Sequence, residues 1–239
     1  MKHIRLLNLR VGIAVLLTGM SLRAYDEAPV ENGGSISGSV LFEGTPPERK
    51  KIEILKSLCD NPNALTEDVI VAKANGKQLL VNAVITLVGI EKGKPFSKDQ
   101  PVLDQKGCVF TPHVVVTPAG ADFKILNSDD CNHNVHTHSD LNPESNKAVS
   151  PKGHAITRFP EPERIAVRCD MHAWMKSWIV VVENPYFAVT ADDGAFKIDK
   201  IPAGTYKLTV WHETLGEQTK EVVIKPGADT TADYSFKAK

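Results

Sequence analysis

The residues with the clearest capacity for chemistry lie in one short segment, Cys169-Asp-Met-His172-Ala-Trp-Met175. This segment places a thiol, an imidazole and a thioether within seven residues. A soft thiolate combined with imidazole nitrogen and a weak thioether suits copper far better than magnesium or calcium. Such a site needs a second imidazole, and the candidate is His133, 36 residues before Cys169. The pattern therefore predicts a copper site with four ligands: His133, Cys169, His172 and Met175.

Zinc, or no metal, stays open as an interpretation of the same residues. A C-x-x-H pair often belongs to a structural zinc site, in which four Cys or His ligands are usual. Zinc would recruit more of these ligands and has no use for a thioether, so ligand softness favours copper. Met171 lies in the same segment but off the ligand spacing. We expect Met171 to fill a gap in the packing rather than to bind metal.

At these residues the sequence resembles the cupredoxins, the small blue copper proteins of the plastocyanin and amicyanin type. The His-Asn-Val element that starts at His133 matches the family's first ligand, and the C-x-x-H-x-x-M segment matches its ligand loop. The resemblance covers about residues 100 to 183 and implies a Greek-key β-sandwich. It also implies that Asn134 ties the two ligand-bearing segments together. It further implies a surface position for His172, beside an apolar docking patch of Ala173 and Trp174 for a redox partner protein. A core position for Trp174 stays open.

The predicted ligand set indicates what the protein does. Two His, one Cys and an axial Met suit both Cu(I) and Cu(II), so little geometry must change when an electron moves. The set leaves no position for a substrate, so we expect a one-electron carrier with one type-1 copper site and no enzyme activity. Two alternatives stay open: a copper-binding module for storage or delivery, and a structural or glycan-binding β-sandwich protein. Trp211 is the only candidate for a sugar-binding platform, and a core role is favoured for it.

The other cysteines allow at most one disulfide, because Cys169 is assigned to the metal. We predict the pair Cys59–Cys108, since Cys131 lies only two residues from the ligand His133. Cys131 is then structural or a thiol that binds no metal.

Two further histidines follow His133 on the same predicted strand. Side chains alternate along a strand, so His136 and His138 would share the face opposite His133. A secondary metal site or part of a partner surface stays open for them. A solvated polar strand edge is favoured, because two His rarely suffice for a closed site.

The elements that must position these residues are strands. Stretches rich in Val, Ile and Thr, broken by Gly, Pro and Asn, recur through the 239 residues, and helix-favouring runs are scarce, which predicts an all-β protein. A composition of 42% hydrophobic and 24% charged residues excludes collagen-like and disordered classes. The formal charge of −1, without a block of like charge, gives no indication of a nucleic-acid partner.

The segments on both sides of the copper region carry a second pattern. The Asp192-Asp-Gly and Pro202-Ala-Gly turns between alternating strands predict hairpins. Together with early strands before residue 96, they resemble the carboxypeptidase-regulatory-like (prealbumin-like) β-sandwich. We favour a cupredoxin domain, residues 98–183, inserted into a smaller discontinuous sandwich of residues 34–96 and 184–239, because domains with neighbouring termini tolerate insertion. Three consecutive pieces, or an N-terminal segment that adds strands to the cupredoxin, stay open.

The N-terminus has the pattern of a secretory signal peptide. Basic residues precede a short apolar run, Val11 to Leu17, and a boundary near Ala24 precedes acidic residues. The run is too short to span a bilayer, so we predict cleavage of residues 1–24 and a periplasmic or secreted protein without a membrane span. The mature chain then carries 24 basic and 29 acidic groups. An uncleaved membrane anchor stays open.

Overall fold

The computed structural model describes residues 25–54 and 61–238. Strands and no helix form in these residues, which confirms the all-β prediction. The strands that precede the middle segment are β1 (Asp26–Glu27), β2 (Gly34–Glu43), β3 (Val71–Ala74), β4 (Lys77–Leu80), β5 (Val84–Val88) and β6 (Lys92–Gly93). The strands of the middle segment are β7 (Val102–Gln105), β8 (Phe110–Thr111), β9 (Val114–Pro118), β10 (Phe123–Asn127), β11 (His133–His138), β12 (Ser145–Val149), β13 (His154–Thr157), β14 (Arg164–Arg168) and β15 (Lys176–Val182). The last strands are β16 (Phe187–Val189), β17 (Ala195–Ile201), β18 (Gly204–His212), β19 (Gly216–Ile224), β20 (Asp229–Thr231) and β21 (Tyr234–Lys237).

The strands of the middle segment form two sheets around one core. One sheet has the order β13-β10-β7-β8, and the other has the order β12-β11-β14-β15-β9. Alternate residues point inward, as in β14, where Ile165 and Val167 are buried between less buried neighbours. The core between the sheets contains these two residues with Phe123, and it also includes Cys169 and Met175. The predicted copper ligands therefore come from residues that the fold buries.

The flanking segments share a second pair of sheets. One has the order β16-β5-β18-β19, and the other has the order β17-β2-β4-β3 with β20 and β21 also paired to β2. Strand β2 runs antiparallel to β17, and β5 runs antiparallel to β18. Their core contains Ile36, Leu87 and Leu208. Strands from both sides of the middle segment thus contribute to the same two sheets, while the domain boundaries stay a prediction.

The two predicted hairpins after residue 189 are wrong. The turn that ends at Gly194 connects β16 to β17, and the turn before Gly204 connects β17 to β18. In each case the two strands belong to different sheets, so both turns cross the sandwich. The turn residues specify only that the chain reverses. The apolar side chains of β17 face inward and pack against the opposite sheet, so β17 does not pair with β16 or β18 as a hairpin requires.

The two pairs of sheets pack against each other through a small apolar cluster. Val84 and Trp211 from the flanking sheets meet Val114, Val180 and Val182 of the middle segment. Trp211 is only 8% exposed. It therefore packs in this contact, as the core interpretation predicts, and it does not present a ring on which a sugar could stack.

Some sequence predictions concern residues outside the described ranges. The predicted signal peptide, residues 1–24, and Cys59 both lie there. Cys108 is disulfide-bonded, whereas Cys131 and Cys169 are thiols. The pairing of Cys108 with Cys59 stays a prediction. Within the described ranges, no helix has the length and apolar character needed to cross a bilayer.

Candidate metal centre

Two neighbouring strands bring the predicted ligands together. Strand β11 begins at His133, and its antiparallel neighbour β14 ends at Arg168, directly before Cys169. The loop that follows is closed by its own backbone: the N–H of Met175 donates to the carbonyl of His172 at 2.9 Å. The N–H of Cys169 donates to the carbonyl of Met175 at 3.3 Å. This short loop can hold three candidate ligands beside the first residue of β11.

The donor atoms of three predicted ligands converge in the protein interior. The Nδ1 atoms of His133 and His172 lie 3.0 Å apart, and the Cys169 Sγ lies 3.7 Å from the His172 Nδ1. The three side chains are buried, and their donor atoms all lie within 4.8 Å of one another. One thiol and two imidazoles, with no carboxylate among them, form the soft donor set that suits copper. The residues therefore fit the predicted metal.

The two methionines of the loop occupy different environments. Met175 is 1% exposed and belongs to the same core as Cys169. Met171 is 50% exposed, so the expectation that it fills a gap in the packing is wrong. The side chains of Cys169 and His172 occupy the inward positions on either side of it, which leaves Met171 on the outer side of the loop. Burial thus favours Met175 as the fourth ligand.

Asn134 connects the strand to the ligand loop. Its Oδ1 accepts hydrogen bonds from the backbone N–H of Asp170 at 2.8 Å and from the Cys169 thiol at 3.2 Å. Its Nδ2 donates to Asp170 Oδ2 at 2.9 Å and to Asn146 Oδ1 at 2.7 Å. Both the oxygen and the nitrogen of this buried amide thus have hydrogen-bond partners, and these bonds fix the positions of β11, β12 and the loop relative to one another. Hydrogen bonds of this kind, from residues that do not bind the metal themselves, orient metal ligands.

The protonation of the three donors is set by their neighbours. Burial opposes ionisation of Cys169, but a hydrogen bond with His133 and backbone N–H groups outweigh it, and the pKa of the thiol falls below its ordinary value. Burial and the charge of His133 lower the pKa of His172. Burial also disfavours the charged form of His133, but Cys169 and Asp129 outweigh it and raise its pKa. Metal binding needs a thiolate and neutral imidazoles, so the lowered pKa values of Cys169 and His172 favour binding and the raised pKa of His133 opposes it.

Asp129 is a functional candidate that sequence reasoning missed. Its Oδ2 lies 2.9 Å from the Nε2 of His133, and the carboxylate also accepts the backbone N–H groups of Gly107 and Cys108. A carboxylate at Nε2 keeps the Nδ1 of His133 directed at His172 and Cys169, as is common for metal-ligating histidines. The Cys131 thiol lies on the same outer side, 3.4 Å from that Nε2. The sequence signal for Asp129 was its position four residues before the candidate ligand His133.

The predicted docking residues lie beside His172. Ala173 is exposed, while Trp174 is half-buried and its Nε1 donates to the carbonyl of Cys108 at 2.9 Å. The expectation that His172 lies at the surface is wrong, since it is only 6% exposed. The rings of Trp174 and His133 cover it, with centroids 5.2 and 4.7 Å from its own.

Comparisons with known proteins find partial similarities. Residues 164–232 match a family model described as polysaccharide lyase family 4, domain II, a fibronectin type III-like domain. The predicted prealbumin-like resemblance is not confirmed by this match. This match covers less than a third of the chain and crosses from β14 of the middle segment to β20. No curated protein matches the sequence.

Solved structures similar to part of the chain include copper proteins. A copper-containing nitrite reductase from Thermus scotoductus SA-01 is 19% identical over 41% of this chain and 26% of its own, with a TM-score of 0.34. A purple cupredoxin from Nitrosopumilus maritimus is 16% identical over 35% of this chain and 100% of its own, with a TM-score of 0.31. A Cu(I) form of an amicyanin mutant is 18% identical over 41% and 98%, with a TM-score of 0.32. The chain thus spans about a quarter of the nitrite reductase that it resembles.

Proposed function

We propose that this protein is an exported type-1 copper protein that carries single electrons between partner proteins. The observation that carries the proposal is the convergence of the Cys169 thiol with the Nδ1 atoms of His133 and His172 in a buried site. Copper held by such ligands cycles between Cu(I) and Cu(II). Met175, buried in the same core, is the proposed weak fourth ligand.

The chain's own residues support this function by fixing the ligands before metal binds. Asn134 holds Cys169 and the following backbone N–H, and Asp129 orients the ring of His133. A site that changes little between oxidation states transfers electrons with little rearrangement, and these contacts restrict rearrangement. We further propose that a redox partner docks at Ala173 and Trp174, the residues nearest His172. In this role the copper needs no bound substrate, so we assign no catalytic residue.

The test is the optical spectrum of the purified mature protein after addition of Cu(II). We expect an intense blue thiolate-to-copper charge-transfer band that disappears in Cys169→Ala. Cys131→Ala is the matched control, because this second thiol lies at the Nε2 of His133, away from the other two donor atoms. It should retain the band. A wild-type complex without a thiolate band, or a band that depends on Cys131 instead, would refute the proposed site.

Electron exchange separates a carrier from a storage or delivery module. Reversible one-electron reduction of the copper-loaded protein, with fast exchange to a small redox reagent, is expected of a carrier. Tightly held copper that does not exchange electrons would favour storage or delivery instead.

A further inference from the structure

A second group of metal-binding side chains lies on the outer face of β11. His136 and His138 alternate with buried residues of this strand and so point away from the sandwich core. The neighbouring edge strand β12 pairs Ser145 with Thr137, and this register brings Glu144 opposite His138. These three side chains are partly or fully exposed. The group is therefore separate from the buried candidate copper site and accessible to solvent.

The donor atoms of this outer group have the spacing of a metal site. The Nε2 of His136 lies 3.0 Å from Glu144 Oε1, and the Nδ1 of His138 lies 3.7 Å from the same oxygen. The two imidazole rings are 4.4 Å apart. Ligands about 2.1 Å from a tetrahedral metal ion are about 3.4 Å from one another, so the observed separations bracket the value that a metal requires.

Asp170 fixes the orientation of one of these histidines. Its Oδ1 lies 2.9 Å from the Nδ1 of His136, close enough to accept a hydrogen bond from that nitrogen. This contact keeps the Nε2 of His136 directed at Glu144, 3.0 Å away, and a metal ion bound there would replace the proton between the two groups. A carboxylate on the other ring nitrogen is the usual second contact of a metal-binding histidine. The other oxygen of Asp170 accepts hydrogen bonds from Asn134 and Asn146. Asp170 is thus held in place by contacts that do not depend on the outer group.

We propose that His136, His138 and Glu144 form a second, solvent-accessible site for a divalent transition metal ion, Zn(II) or Cu(II). Two imidazoles and one carboxylate are a common protein ligand set for such ions, and water fills the remaining positions. The open face permits exchange of the metal with solution. Through Asp170 and Asn134 the site is joined by hydrogen bonds to Cys169, so it adjoins the buried site without sharing a ligand with it.

The test compares zinc binding by the metal-free full-length mature protein and its variants in equilibrium dialysis. The double variant His136→Gln/His138→Gln should bind one equivalent of Zn(II) less than the wild type. Each single variant should weaken binding at this site by more than about tenfold, because losing a ligand costs at least as much as losing an outer hydrogen-bond partner. His154→Gln, an exposed histidine on β13, is the matched control and should bind as the wild type does.

Equal zinc stoichiometry and affinity in the double variant and the wild type would overturn the outer site. This difference between variants does not depend on whether the buried site takes copper, so the two proposals fail separately. A measurement on the wild type alone covers the case in which the variants do not fold. Electron paramagnetic resonance of the wild type during titration with up to two equivalents of Cu(II) should show a copper signal that is coupled to imidazole nitrogen and does not grow with the thiolate band. The absence of such a signal would equally overturn the site.

Discussion

Asn134 is the residue at which the two segments that carry the candidate ligands meet. One amide group contacts the Cys169 thiol, the backbone N–H of Asp170 and the side chain of Asn146. At the same scale, Asp129 contacts the Nε2 of His133, the nitrogen opposite the one that faces the site. Asn134 thus contacts the Cys169 thiol and Asp129 contacts the His133 imidazole, so two residues that are not candidate ligands themselves position two that are.

The choice between the two loop methionines gives a prediction at this scale. Met175→Leu in the copper-loaded protein should keep the blue band and raise the reduction potential, because losing a weak donor destabilises Cu(II) more than Cu(I). Met171→Leu is the control, since its side chain is half exposed. Voltammetry measures both. A potential that moves with Met171→Leu and not with Met175→Leu would show that the ligand is misassigned.

Turns that cross between facing sheets are the main feature at the scale of elements. Gly194 ends the turn between β16 and β17 with a φ of 59°, a conformation that L-residues with a Cβ adopt at a cost. A Cβ built at Gly194 would lie 2.5 Å from the Cβ of Leu79 in β4. The turn therefore needs glycine for two reasons, its backbone conformation and the close approach of a strand.

Gly194→Ala should accordingly destabilise the protein by more than the conformational cost alone. The left-handed conformation costs an alanine about 1–2 kcal/mol, and the clash with Leu79 adds to it. Gly120→Ala is the matched control, because Gly120 has a φ of 74° and nothing within 4 Å of a built Cβ. Urea unfolding of the metal-free proteins measures both free energies of unfolding. Equal losses in the two variants would contradict a close approach at Gly194.

At the scale of the whole molecule, an ion pair joins the two pairs of sheets. His113, just before β9, is buried and its Nε2 contacts Glu213, in the turn after β18. Trp178 of β15 donates to the other oxygen of Glu213 at 2.6 Å, and Glu67 lies 3.5 Å from the His113 Nδ1. Burial opposes the charged form, but the two carboxylates outweigh it and raise the pKa of His113 to about 9.

This pKa predicts how stability depends on pH. A histidine whose pKa is raised in the folded state contributes stability that is fully present below its ordinary pKa of 6.5 and is lost as pH rises through about 9. The loss should reach at most about 3.5 kcal/mol, at about 1.4 kcal/mol per pKa unit. Urea unfolding of the metal-free protein between these pH values should show the decline. His113→Gln should remove the decline, and Glu213→Gln should reduce it because Glu67 remains beside the ring. A decline that persists in full in both variants would contradict this assignment.

The arrangement of the sheets predicts how fragments behave. Residues 98–183 contain both sheets of the middle segment and should fold alone and bind copper. Residues 184–239 lack β2 and β5, the strands that pair with β17 and β18, so their apolar faces should stay uncovered and the fragment should aggregate or remain unfolded. Circular dichroism and thermal melting test both fragments. A cooperative melt of residues 184–239 would contradict the discontinuous sandwich.

Local patterns in the sequence were sufficient for the strand content and for the composition of the candidate site. The alternation of apolar residues has the period of a strand, which is a property of a few neighbouring residues. The three candidate ligands of the loop lie within seven residues, and Asn134 directly follows His133. Such short-range relations do not depend on which strands pair with one another, so they could be inferred without a structure.

Only the tertiary structure decided which segments meet. Asp129 faces the outer nitrogen of His133, Trp174 covers His172, and Asp170 reaches His136 across the strands β14 and β11. The turns before Gly194 and Gly204 join facing sheets rather than neighbouring strands. A turn residue specifies that the chain reverses, but the strand on which it then packs depends on burial of apolar faces from distant segments. This packing joins residues that are far apart in the chain, so no pattern among neighbouring residues could predict it.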